Sequence, residues 1–274
     1  MATFDLNNFV IDRIVRGVAL SQKDNSVLFS INQIQNASLN CASESTDAVD
    51  ALGTPIATFY RAKSAEFSAE NALYDMNLMA TQLGTKKKIA GVNSVKNILV
   101  PAMETITVPA GLYSGTRTVT LKHTPKADPT EIYKLNGDST FGIKYKKNSA
   151  ADETQFAISG TQLTLPKDET LVEGDELFVM YEYESSSAVE VMNSATEFPT
   201  GCKFVMEVLG CDVCDQTNLI YAYVIFNNFK LSPDFDWSIA TDGAHPFSGK
   251  AQQAYCDKEK RLFSIIIPGD TAKE

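Results

Sequence analysis

The sequence predicts a mainly β protein: a β-sandwich or barrel with one flanking α-helix, carrying a second, small β-sandwich inserted in its middle. Three observations predict it. Short runs rich in Val, Ile, Thr, Phe and Tyr alternate with Gly, Pro, Asn and Asp along most of the chain, the pattern of strands and their turns. One stretch alone shows convincing apolar spacing of three and four residues, the period of a helix. Charge is also unevenly divided: residues 1–97 hold 9 basic and 9 acidic side chains, 98–190 hold 8 and 14, and 191–274 hold 7 and 11. The shift marks 98–190 as a separate small domain, leaving 1–97 and 191–274 as one discontinuous core domain.

The elements follow in order. "SVLFSINQIQ" (26–35) reads as a strand with Val27, Phe29 and Ile31 on one face and Leu28 on the other. "IATFYRAKSAEF" (56–67) reads as a second strand, rich in Thr, Phe and Tyr. Between them "NASLNCASESTDAVDALGTP" is small and polar throughout, so it reads as a long loop, and a loop of that length in a compact domain is functional or mobile. The helix comes next. Ser68 is placed to cap it, Glu70 to favour its positive end, and Gly84 to stop it. Leu73, Met76, Ala80 and Leu83 give the apolar stripe, and Met76 and Met79 read as core fillers. Lys86, Lys87 and Lys88 read as a solvated helix end rather than a phosphate site.

From residue 98 the short runs "ETITVPAG", "TRTVTLKHTP", "EIYKLNG", "FGIKYKK", "TQFAISGTQLTL" and "DELFVMYEYES" recur at the spacing of an all-β sandwich. Serine-rich "ESSSAVE" reads as the linker out of it. "CKFVMEVLG" and "NLIYAYVIFNNFKL" are the most strongly β-forming runs of the chain. A turn-rich connection, "SPDFDWSIATDGAHPFSGKAQQAYC", and a last strand in "RLFSIIIPGD" complete the order.

Composition restricts function. Apolar residues make up 44% and charged ones 21%, with a formal net charge of −10. That is globular rather than disordered, and the acidic balance argues against a dedicated nucleic-acid binder. No apolar run approaches a membrane span, and "MATFDLNNFVIDRIV" lacks the pattern of a signal peptide. The odd, scattered set Cys41, Cys202, Cys211, Cys214 and Cys256 fits reduced thiols better than a disulfide framework. Cys211 and Cys214 have C-x-x-C spacing, the spacing of a zinc half-site or a redox dithiol. Zinc needs two further ligands, and His123 and His245 stand apart; a dithiol needs a helix after the second cysteine, and a strand follows instead. The pair therefore reads as loop residues in a hairpin. Neither histidine has a G-x-S-x-G elbow to serve, there is no P-loop, and "KDETLVEGDE" lacks the spacing of a calcium loop. No enzyme activity, cofactor or metal is expected.

This layout resembles the tail tube proteins of tailed bacteriophages. The resemblance lies in the strand "VLFSINQIQ", the loop 36–55, the strand "ATFYRAKSAEF", the helix "SAENALYDMNLMATQLGT" and the run from "FVMEVLGCDVCDQTN" to "RLFSIIIP". Residues 98–190 resemble the immunoglobulin-like β insertions that phage structural proteins carry on their outer surfaces. The resemblance implies homohexameric rings whose sheets close into one β-barrel and stack into a tube, the conduit for genome ejection. It implies that the loop carrying Ser38, Asn40, Glu44, Asp47, Asp50, Gly53 and Pro55 meets the next ring. It implies other tail proteins as partners, with a tape-measure protein and DNA passing through the lumen without specific binding, and no membrane. The location implied is the virion tail, assembled in the bacterial host cytoplasm. Two other readings stay open: a capsid or head-decoration protein, and a glycan-binding β-sandwich using Trp237, Tyr181 and Tyr183. The common capsid fold, however, needs a long spine helix that this sequence does not offer.

Overall fold

A computed structural model describes residues 6, 8–93, 95–110, 117–255 and 258–269. The fold is mainly β, with 54% of residues in strands and 3% in a helix. The chain divides into two compact units, one formed by residues 1–87 with 191–274 and the other by 88–190.

In the discontinuous unit, strands β1 (Phe9–Ser21), β2 (Val27–Ile31), β3 (Ile34–Val49) and β4 (Pro55–Asn71) precede helix α1 (Met76–Gln82). Strands β14 (Gly201–Asp212), β15 (Asp215–Leu231), β16 (His245–Ala251) and β17 (Ser264–Ile266) complete it. They form one sheet in the order β2-β1-β14-β15-β16-β4-β3, with β17 also paired to β15. The core packed on this sheet holds six buried phenylalanines: Phe29, Phe67, Phe204, Phe226, Phe229 and Phe247. Phe67 lies among them, with ring centroids 5.7–6.3 Å from those of Phe204, Phe226, Phe229 and Phe247. Aromatic packing this dense needs small neighbours, supplied by Ala19, Ala65 and Ala69. At Gly17 even a methyl would press on Ile34 and the Phe204 ring.

The helix differs from the expectation. β4 runs on through Asn71, held by β16 on one edge and β3 on the other, so Ser68 and Glu70 are strand residues. The cap is Asp75, whose carboxylate accepts from the N–H groups of Asn77 (2.9 Å) and Leu78 (2.7 Å). Leu78, Met79 and Ala80 are buried, while Leu73 and Met76 are exposed. Gly84 does stop the helix: at φ +73° it lets its own N–H reach Thr81 O while the Thr85 N–H reaches Ala80 O, a Schellman ending. Lys88 belongs to a strand.

Two further differences follow. The segment 36–55 is not a loop but most of β3 and a tight turn. The turn-rich connection contains β16, so His245 is a strand residue with no exposed surface. Strand β1 went unpredicted.

The second unit contains β5 (Lys88–Ile89), β6 (Ile98–Thr107), β7 (Thr118–Thr120), β8 (Glu131–Leu135), β9 (Phe141–Lys147), β10 (Gln155–Ser159), β11 (Gln162–Thr164), β12 (Glu176–Ser185) and β13 (Val189–Glu190). Seven strands follow the order β6-β12-β8-β9-β10-β11-β7, around a core that includes Ile132, Tyr145, Phe156, Leu163, Leu177 and Val179. β5 and β13 pair with each other, so the chain enters and leaves this unit at one place. Tyr181 is buried in this core and donates to the carboxylate of Glu104, which also accepts from Lys122 N–H at 3.1 Å. Burial and that bond push its hydroxyl up to about 12. A side chain so placed has no face to offer a sugar, which removes it from the glycan-binding reading. Tyr183 is half-buried and stacks on the His123 ring at 3.8 Å.

Candidate functional site

The seven residues expected in a stacking loop lie along the β3–β4 hairpin, which begins over the body and ends as a free arm. β3 and β4 pair from Ile34↔Asn71 to Val49↔Pro55. Over the body the pair has a core face, with Ala65, Phe67, Ala69 and Asn71 buried. Beyond Ala65 every residue of both strands is exposed on both faces. The free portion spans eight residue pairs, or roughly 25 Å at strand rise.

The arm is not a simple ribbon. Ala62, at φ +46°, is an extra residue on β4 between the pairs Ser43↔Lys63 and Glu44↔Arg61, a bulge that turns successive side chains over. Ser38 pairs with Ser68 and Asn40 with Glu66, both over the body, whereas Glu44↔Arg61 and Asp47↔Thr58 lie on the arm itself. Alternation places Ser38, Asn40 and Glu44 on one face and Asp47 on the other. Asp50, Gly53 and Pro55 form the tip. Asp50 accepts from the N–H groups of Leu52 and Thr54, each at 2.8 Å, and Gly53 takes φ +84°. The structure therefore strings these seven residues along one element instead of gathering them into a cluster.

The residues that sequence reasoning missed here are apolar. Leu52 is 91% exposed, Tyr60 73% and Ile56 71%, with Phe59 and Val49 also open. Phe59 and Tyr60 point to opposite faces, so neither face of the arm is the wet one. An isolated two-stranded hairpin is marginal in water, and β3 leaves one full edge of backbone groups unpaired at the margin of the sheet. The run "IATFYRA" held the signal, an apolar strand segment extending past the last core position.

Other candidates offer less. Cys211 is a half-buried residue of strand β14 and not of the loop, while Cys214 is exposed in the two-residue turn between β14 and β15, both as free thiols; Cys256 lies outside the described residues. Among the described residues no three His, Cys, Asp or Glu side chains gather as a metal site, and no helix is long and apolar enough to cross a membrane. Trp237 packs edge-on against Tyr74 at 5.2 Å.

His245 ties α1 to β16. Its Nδ1 accepts from Asp75 N–H at 3.4 Å, and its Nε2 lies 2.8 Å from Gln82 Oε1. Rings of Tyr74 and Phe235 flank it. Burial lowers its pKa from the ordinary 6.5, and the charge of Asp75 only partly opposes this. As pH falls, the unfolded chain takes up this proton before the folded one does. The urea midpoint of this unit is therefore expected to hold steady down to about pH 6.5 and to fall as the pH is lowered further. A midpoint unchanged by that further lowering would show that the ring protonates freely in place.

No curated protein matches the sequence. The model of the YomU/Tube protein family matches residues 9–260, nearly the whole chain and parts of both units. The arm, open on both faces, and every strand of the large sheet except β17 belong to that matched span. The chain belongs to the YomU/Tube protein family and is a phage tube-like structural protein.

Proposed function

We propose that this chain is the subunit of a phage tail tube: six copies close into a ring, rings stack, and the tube conducts the genome during ejection. The observation that carries the reading is the β3–β4 arm, which leaves the body with apolar residues on both faces and an open edge. Such an arm needs a partner surface, and in a tube that surface belongs to further copies. The sheet offers two free edges for lateral closure, β2 and β3, and closure removes edges that otherwise pair without control. Ser38, Asn40, Glu44, Asp47, Asp50, Gly53 and Pro55 are then stacking residues. The net charge of −10 suits a wall along which phosphate slides instead of sticking. Other tail proteins, a tape-measure protein in the lumen, and assembly in the host cytoplasm before incorporation into the virion complete this reading.

Residues 98–190 act as an inserted immunoglobulin-like module that the ring does not need. Negative-stain microscopy of the purified protein over a concentration series is expected to show six-fold rings and channelled tubes. A variant with 98–190 replaced by a short linker is expected to form the same rings. Compact monomers at every concentration would argue against a tube. Loss of rings only in the shortened variant would make the module part of the ring.

A further inference from the structure

Two surfaces at opposite ends of the body stretch of β4 carry opposite charge around apolar centres. At one end, Asn71 pairs with His245, just after the connection 232–244. That connection carries Ile239, 84% exposed, with Asp236 and Asp242 three residues to either side. Both aspartates and Glu70 line an open cleft of about 640 Å³ beside it. The connection is braced from beneath: the Tyr74 hydroxyl donates to Ser238 O, and a Cβ at Gly243 would overlap that hydroxyl. The result is an apolar knob in an acidic rim, held in shape before any contact is made.

At the other end, where the arm leaves the body, a second cleft of about 560 Å³ is lined by Ala62, Lys63, Gln253, Lys260, Leu262 and Phe263, with Glu259. Leu262 and Phe263 are half-buried and pack on the core, giving a fixed apolar floor. Lys63 and Lys260 are exposed on its rim, and Glu259 is bridged to Arg261 at 3.3 Å. Here an apolar socket stands in a basic rim. From Lys63 to Asn71 is roughly 25 Å along the strand.

We infer that Ile239 of one copy seats in the Ala62–Leu262–Phe263 socket of a second copy, with Asp236 and Asp242 meeting Lys63 and Lys260. The inference rests on the tube reading and gives its stacking contact a receptor. Knob and socket are different patches on one chain, so the contact is head-to-tail and repeats without closing, which is how a filament grows. A preformed knob and floor avoid the ordering cost of a flexible contact. Opposite charges at the rim speed the encounter and fix its direction. The arm, leaving from the socket's own edge, would run alongside the seated copy.

A charge-swap experiment in the full chain tests it, reading ring and tube populations by microscopy and sedimentation. All four positions are exposed, and circular dichroism checks folding. Asp236→Lys with Asp242→Lys is expected to raise the concentration needed for stacking at least tenfold while leaving rings intact. Lys63→Glu with Lys260→Glu is expected to do the same. All four changes in one chain are expected to restore tubes. If wild type forms tubes and the reversed proteins form them equally well, the knob-and-socket contact is wrong while the tube reading stands. If the four changes together fail to restore stacking, these charges do not face each other. If wild type forms neither rings nor tubes at any concentration, both readings fall together.

Discussion

Replacing Glu44 through Ala62 with Asn-Gly is expected to give a folded protein that no longer makes tubes. The cut keeps the pair Ser43↔Lys63 and closes it with a two-residue turn suited to a hairpin. Nothing removed touches the phenylalanine core, because every residue from Glu44 to Ala62 is exposed. Thermal stability should therefore change little, as surface changes usually stay within about 0.5 kcal/mol each. Assembly should be lost outright, since the deletion takes Val49, Leu52, Ile56, Phe59 and Tyr60, all exposed in the free subunit. Sedimentation and microscopy of the shortened chain at concentrations where wild type polymerises provide the test. Tubes of normal length would remove the arm from assembly altogether.

The second large effect separates two phenylalanines on one strand. Phe67→Ala is expected to destabilise the discontinuous unit by about 3–5 kcal/mol, the usual cost of emptying a well-packed aromatic site. Phe67 is 2% exposed and touches four other rings, so the surroundings have little room to collapse. Against a typical total of about 5–15 kcal/mol this takes a large share. Phe59→Ala, eight residues earlier on β4, is expected to leave the urea midpoint unchanged and to weaken assembly instead. Equal destabilisation by the two changes would mean that the arm is packed within the subunit.

The sequence showed the class of fold, the C-terminal hairpin and the strand-rich middle, because those segments bury one face and so alternate. It did not show β3. Asn36, Ser38, Asn40, Ser43, Glu44 and Asp47 are weak strand formers, and with neither face buried inside the subunit no period of two is written into them. β1 failed for another reason: "FVIDRIVRGVALS" carries two register irregularities against β14, which scramble its alternation. The helix start misled because Ser68 and Glu70 form a sound local cap signal, and pairing with two neighbouring strands outweighed it. Of the candidate site, the location was legible and the architecture was not. The long polar segment drew attention to this stretch of chain, but the positive φ of Ala62 and the apolar tip belong to a hairpin that only the strand register reveals.

The pairing of Lys88–Ile89 with Val189–Glu190 has a practical consequence. Whatever lies between those two short strands needs only that its own ends emerge side by side, a common property of small domains. The position is therefore a natural splice point at which a different folded cargo, such as an antigen or a lectin, can be carried once per subunit. On a polymer, such cargo would be presented in a dense periodic array. Individually weak contacts with a cell surface would then add up to an avidity roughly 10²–10⁴ times the single-site affinity.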